Sequence, residues 1–304
     1  MKKLSSIQMA SFAANGFVRL DKVVPQELNQ RFIEAFRRGR TEERANEKEE
    51  VPAVPPGTAV LDAFQEGSVL GEILRLPAVQ GAIESLVGPE SLVDHHFVHV
   101  LPPPAFFKEQ NRPQVSQHLH QDSTIDARES FDIQLFYYPQ DIPWEMGGTR
   151  FVPGTHLRIV SESAIARYQN VRGQQQIECE AGTIFFMHHG IWHGGSINRA
   201  NDFRYLYKLR LNPVVPQVKL WDTSDLEETQ DQFRPIFFVK EARKPNTVQE
   251  QLTRGQPWFE NDTGRIEYIQ RVKFWRRLLG DKSFDADYWV TRLECDPYSA
   301  PAVS

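Results

Sequence analysis

The chain has 304 residues, a formal net charge of −5 and a pI of about 6.0, with 40% hydrophobic and 25% charged residues. That apolar share supports a buried core and excludes wholesale disorder, while the acidic balance argues against a dedicated nucleic-acid binder. The only two cysteines, Cys179 and Cys295, exclude a disulfide framework and a cysteine-based zinc site.

No apolar run reaches the ~18–20 residues of a membrane span, and Met1 to Ser6 lacks the apolar core of a signal peptide. A cytoplasmic location is therefore expected. Ser5 and Ser6 can cap a short helix that runs to about Asn15, where Gly16 stops it. Phe17 to Leu20 alternates like a strand, and Gln26 to Arg38 carries Leu28, Phe32, Ile33 and Phe36 on one helical face. Residues 41–58 form a charged, then proline-rich stretch, read as a solvated loop with the length of a lid. Another helix is predicted over 72–88, with Ile73, Leu74, Leu76, Val79 and Ile83 apolar.

After Gly88 the composition turns to β. Strands are predicted at 93–101, 131–138, 149–152, 176–179, 183–187, 191–197 and 203–212. They are short, rich in Val, Ile, Phe and Tyr, and punctuated by Pro, Gly or Asp, as in a sandwich or jelly roll. Beyond Pro216 comes an appendix with an acidic patch (Asp222, Asp225, Glu227, Glu228, Asp231) and a helix predicted from Arg265 to Leu279. Ile269, Val272, Trp275 and Leu279 line one face of that helix.

The chemistry-bearing residues begin with His120-Gln121-Asp122. Side chains two apart on an extended segment point the same way, so this imidazole and carboxylate can share one metal. The triplet alone is weak, because it recurs by chance. Some seventy residues on, Gly182 to Asn198 reads as a turn, an apolar strand and a second strand that delivers His193. Arg204 follows eleven residues later, inside the apolar strand Phe203 to Tyr207. An inward guanidinium there needs a partner, and a bidentate carboxylate suits it best. His120, Asp122 and His193 make a two-histidine, one-carboxylate set of the kind found in non-haem Fe(II) oxygenases.

Four segments in order then resemble the phytanoyl-CoA dioxygenase family of Fe(II)/2-oxoglutarate oxygenases, over roughly residues 7–210. They are the opening helix with Asn15-Gly16-Phe17-Val18; His118 to Asp122; Met146-Gly147-Gly148-Thr149-Arg150-Phe151-Val152-Pro153-Gly154-Thr155-His156; and Gly182 to Asn198 with Arg204. The resemblance implies a mainly β double-stranded β-helix (a cupin-like jelly roll) with flanking helices, filling residues 1–216. Residues 217–304 are expected to pack on it as an extension, through which a homodimer could form. It also implies Fe(II) held by His120, Asp122 and His193, and 2-oxoglutarate held by Arg204. The implied reaction consumes O2, releases succinate and CO2, and hydroxylates an unactivated C–H of a small lipid-derived or natural-product-like substrate. Related halogenating enzymes lack the carboxylate ligand; Asp122 is present, which favours hydroxylation or its desaturating and cyclising variants. The chain departs from the family at Gly195, where many members carry Ser or Thr.

Further residues are assigned by position. His99, on a strand expected to border the cavity, is a candidate for the co-substrate, as are Gln134 and Tyr138. Gln134, Phe136 and Tyr138 share one strand face; Ile133, Leu135 and Tyr137 share the other, and periodicity alone leaves open which points inward. Phe106, Phe136 and Trp192, with Phe107 and Trp144, are candidates for an apolar substrate wall. His118 is read as a supporting or surface residue, His188 and His189 as a strand end, and His156 as fixing the Pro153-Gly154 turn. Two other readings stay open: a cupin-like metal enzyme that uses no 2-oxo acid, and a binding module of the same fold without turnover.

Overall fold

The structure, a computed structural model, describes residues 2–37, 54–122, 132–158, 171, 173–226, 248–253 and 261–284. Most of the predicted 41–58 loop, and Glu227, Glu228 and Asp231 of the acidic patch, lie outside these residues. Helix α1 (Ser6–Asn15) starts as predicted, with Ser5 and Gln8 forming a reciprocal capping box. It ends at Gly16, whose φ of +81° suits glycine. Strand β1 (Phe17–Leu20) and helix α2 (Gln26–Arg37) follow. A two-residue strand β2 (Thr58–Ala59) and the short helix α3 (Val60–Ala63) come next.

The single helix predicted over 72–88 is two, α4 (Val69–Leu74) and α5 (Pro77–Val87). Pro77 is the reason. It has no N–H to donate and drives Leu76 out of the helical region, to ψ 133°, while it suits the first position of a new helix. Next come β3 (Leu92–Leu101), α6 (Pro104–Glu109), β4 (Ile133–Tyr138), β5 (Arg150–Val152), β6 (Gln175–Gln176), β7 (Thr183–His188), β8 (Trp192–Gly194) and β9 (Arg204–Asn212). All seven predicted β segments overlap a strand, two of them only briefly. The segment predicted at 176–179 meets the two-residue β6 only at Gln176, and the 191–197 strand stops at Gly194. Helices α7 (Val248–Thr253) and α8 (Asn261–Leu279) close the described chain.

The strands form two antiparallel sheets. The larger has the order β1-β7-β4-β9-β3-β2 and the smaller β6-β5-β8. Between them lies an apolar cluster that includes Phe136, Tyr138, Phe185, Met187 and Leu206 of the large sheet and Phe151 of the small one. The other face of the large sheet carries Ile133, Leu135, Tyr137, Tyr207 and Leu209, covered by the helices. The face left open by periodicity is thereby decided: Gln134, Phe136 and Tyr138 point between the sheets. Tyr137 lies in the helix-covered core and donates from its Oη to Asn29 Oδ1 at 2.6 Å.

Helix α8 packs into that same core. Phe274, Trp275, Leu278 and Leu279 are buried, and the Trp275 ring lies 5.4 Å from that of Trp221. The apolar stripe of this helix is therefore spent inside the chain. His156 is fully enclosed beneath α1, with Nε2 3.1 Å from the carbonyl of Ala13. It ties the turn to the helix rather than fixing the turn itself. A Cβ on Gly16 would stand 2.6 Å from its Nδ1, so the close approach requires glycine.

Burial pushes His156 down to about 3. The unfolded chain protonates near the ordinary histidine value of about 6.5, so between these limits it binds more protons than the native state. Stability is expected to fall as pH drops from about 6.5, by up to about 1.4 kcal/mol per pH unit for such a histidine. Urea unfolding at pH 7 and pH 5 checks this, with a shallower dependence expected for His156→Phe. Equal midpoints for the parent at the two pH values would contradict it.

Candidate metal centre

His120 and His193 are placed by backbone pairing. The N–H of each donates to the carbonyl of the other at 2.9 Å. Side chains of a directly opposed antiparallel pair lie on one side, and these two rings stand 4.5 Å apart. Gly194 permits the approach of the two strands, since a Cβ there would lie 2.7 Å from the carbonyl of His118. Each Nδ1 is engaged by a backbone carbonyl: His120 by that of His118 at 3.1 Å, and His193 by that of Ile191 at 3.0 Å. An imidazole that donates through Nδ1 presents its Nε2 lone pair outward, the orientation of a metal ligand.

Asp122 completes the group. Its N–H donates to the carbonyl of His189 at 3.2 Å. Its Oδ1 stands 3.5 Å from His120 Nε2 and its Oδ2 3.7 Å from His193 Nε2. One ligand atom from each of the three residues lies within 4.8 Å of the others, a spacing that could hold a metal ion. Among the described residues this is the one group of His, Cys, Asp or Glu side chains with that spacing. Two imidazoles and one carboxylate form a donor set that fits ferrous iron.

Burial and neighbouring charges shift each of the three groups. Burial works to raise the Asp122 pKa, but the His120 hydrogen bond and the charges of His193 and Lys208 outweigh it and hold the carboxyl well below its usual range. Burial pushes His193 down to about 4, which leaves it neutral. His120 is also opposed by burial, yet its bond to Asp122 raises it above the ordinary value. A metal would reverse that last shift, because it takes the same lone pair.

Two residues of the large sheet reach Asp122. Gln134 donates from Nε2 to Oδ2, and Lys208 Nζ stands 2.6 Å from the same oxygen. Phe136 from β4 lies beside His193, with ring centroids 5.7 Å apart. Gln134 and Phe136 were expected at the pocket; Lys208 was not. The signal was present. Lys208 is four residues beyond Arg204 on β9, and period two puts both on one face.

Arg204 is buried on the inner side of β9. Its Nη1 donates to the carbonyl of Gly147. Gly147 has φ +69°, and a Cβ there would stand 2.0 Å from the carbonyl of Ile197, so the turn that aims this carbonyl requires glycine. Arg204 Nε has no hydrogen-bond partner, and no carboxylate among the described residues pairs with the guanidinium. Burial lowers its pKa, and the neighbouring Tyr138 opposes that. Tyr138, pushed up to about 12 by burial, donates from Oη to Thr149 Oγ1 at 2.9 Å. Such an enclosed cation with an unused donor fits an anionic ligand.

The remaining expected residues are scattered. His99 sits opposite Leu206 on β3, in phase with Phe97 opposite Lys208, so it faces the inter-sheet side. Trp192 packs with Leu119 and Val152, on the side of β8 away from His193. Phe106 packs against Phe107 and Phe203. Trp144 is 52% exposed. His118 contributes its carbonyl to the orientation of His120, and His189 contributes its carbonyl to Asp122.

The sheets, the two-histidine, one-carboxylate group and the buried arginine define a mononuclear non-haem oxygenase class. The family model for phytanoyl-CoA dioxygenase matches residues 12–206, and the chain belongs to this family of Fe(II)/2-oxoglutarate-dependent oxygenases. Among solved structures, the chain is similar to HygX from Streptomyces hygroscopicus with nickel and 2-oxoglutarate bound. The identity is 14%, over 72% of this chain and 90% of that one, with a TM-score of 0.50. It is also similar to the epimerase SnoN in complex with Fe3+, alpha ketoglutarate and nogalamycin RO, at 18% identity, over 68% and 82% of the two chains, with a TM-score of 0.50. These likenesses speak to the fold. A comparison with curated proteins gave no match. Among the described residues no helix is long and apolar enough to cross a membrane.

Proposed function

We propose that the chain is an Fe(II)- and 2-oxoglutarate-dependent dioxygenase that hydroxylates an unactivated C–H of a small organic substrate, with a double-stranded β-helix over residues 1–216. The observation that carries the reading is the joint one. Three ligand atoms lie within 4.8 Å of one another, and a buried arginine with no carboxylate partner among the described residues projects from the same inter-sheet face. Antiparallel sheets packed across an apolar cluster support the fold. Burial of Trp275 and Phe274 supports residues 217–304 as an extension of the same domain.

His120, Asp122 and His193 would hold the metal, and Arg204 would grip the far carboxylate of 2-oxoglutarate. When bound, the metal with 2-oxoglutarate and O2 supplies the oxidant, and succinate and CO2 leave as by-products. The protein's own part is placement. The carbonyls of His118 and Ile191 aim the two imidazoles, Gln134 and Lys208 steer the carboxylate, and Phe136 and Leu206 keep the face dry. Anaerobic titration with Fe(II) and 2-oxoglutarate tests the reading: a weak visible charge-transfer band is expected, and its absence at saturating concentrations would overturn it.

A further inference from the structure

Lys208 is a full positive charge inside a group that would hold a divalent cation. Its Nζ is 2.6 Å from Asp122 Oδ2 and 5.7 Å from the ring centroids of both Phe97 and Phe136. The side chain is buried, at 7% exposure. Aromatic faces attract an ammonium, so the position is built for a cation. Gln134 binds the same carboxylate oxygen as a neutral donor. The two differ in what they do to a metal. A neutral donor orients the carboxylate, whereas an ammonium both orients it and repels a second cation at close range.

Resting on the proposed metal centre, we infer that Lys208 is a resident cation that competes with the metal for Asp122 and thereby sets the affinity of the site. Without metal, the ammonium neutralises Asp122. Metal entry requires the carboxylate to be shared or surrendered, and a positive charge stays beside the loaded site. Lys208 is thus a positioning residue whose charge, apart from its hydrogen bond, weakens metal binding. A merely supporting residue would have the opposite sign: its removal would loosen the metal.

The test is Mn(II) binding to the full chain without 2-oxoglutarate, read from the electron paramagnetic resonance of free Mn(II). Lys208→Met is expected to tighten binding by roughly tenfold or more. Lys208→Gln keeps a donor for Asp122 without the charge and should also tighten it, which guards against a methionine variant that misfolds. Lys208→Arg keeps the charge and should bind like the parent. Unchanged or weaker binding in both neutral variants overturns the inference and leaves the metal centre standing. Failure of the parent and of every variant to bind Mn(II) overturns the metal centre itself.

Discussion

Asp122→Ala is expected to abolish succinate release from 2-oxoglutarate in the presence of Fe(II). The variant loses the only anionic member of the three-residue group, and two neutral imidazoles remain. Loss of metal affinity should exceed the roughly 10- to 100-fold typical of residues that merely support a ligand. The change also removes a carboxylate 2.6 Å from the Lys208 ammonium. Breaking a buried ion pair by removing one partner costs about 3 kcal/mol. Asp122→Ala should therefore melt earlier than the parent, and Asp122→Ala/Lys208→Met should recover most of that stability while recovering no turnover. The double variant separates a folding defect from a ligand defect. Succinate release that persists in Asp122→Ala would remove this residue from the metal centre.

Replacement of Arg204 by methionine is expected to raise the KM for 2-oxoglutarate by about 100-fold, the scale for deleting one partner of a buried charged pair. Arg204→Lys should fall between, because an ammonium cannot match both carboxylate oxygens as a guanidinium can. The expectation rests on an enclosed guanidinium held on one side by the Gly147 carbonyl, with Nε unused. Steady-state kinetics over a range of 2-oxoglutarate concentrations decides it. An enzyme with the same metal ligands but no 2-oxo acid would show no such dependence. The effect should appear in KM, since the group gripped is remote from the metal-binding end of the co-substrate.

Much of this site was legible before any fold was known. His120 and Asp122 sit two apart on extended chain, and that spacing alone puts them on one side. Arg204 drew attention because a guanidinium inside an apolar strand demands a partner. Lys208 follows from the same rule, yet it was masked by its neighbours. A lysine in a strand ordinarily carries its ammonium out to solvent, and only burial against Phe97 and Phe136 shows that this one does not. Trp192 illustrates the converse. It adjoins His193 in sequence and so looked like pocket wall, but alternation along β8 turns it toward Leu119 and Val152.

The sequence by itself determined the elements and their punctuation: the Ser5 cap, the Gly16 stop, seven β segments and an apolar stripe on α8. These depend on local dihedral preferences and periodicity, which neighbouring residues carry in full. Which face of β4 points between the sheets, that Trp275 is spent in the core, and that Lys208 meets Asp122 were decided only by the tertiary structure. Those facts depend on pairings such as Phe136 with Lys208 and His120 with His193, across dozens of residues. No local window contains both partners, so the choice falls to the packing of whole sheets.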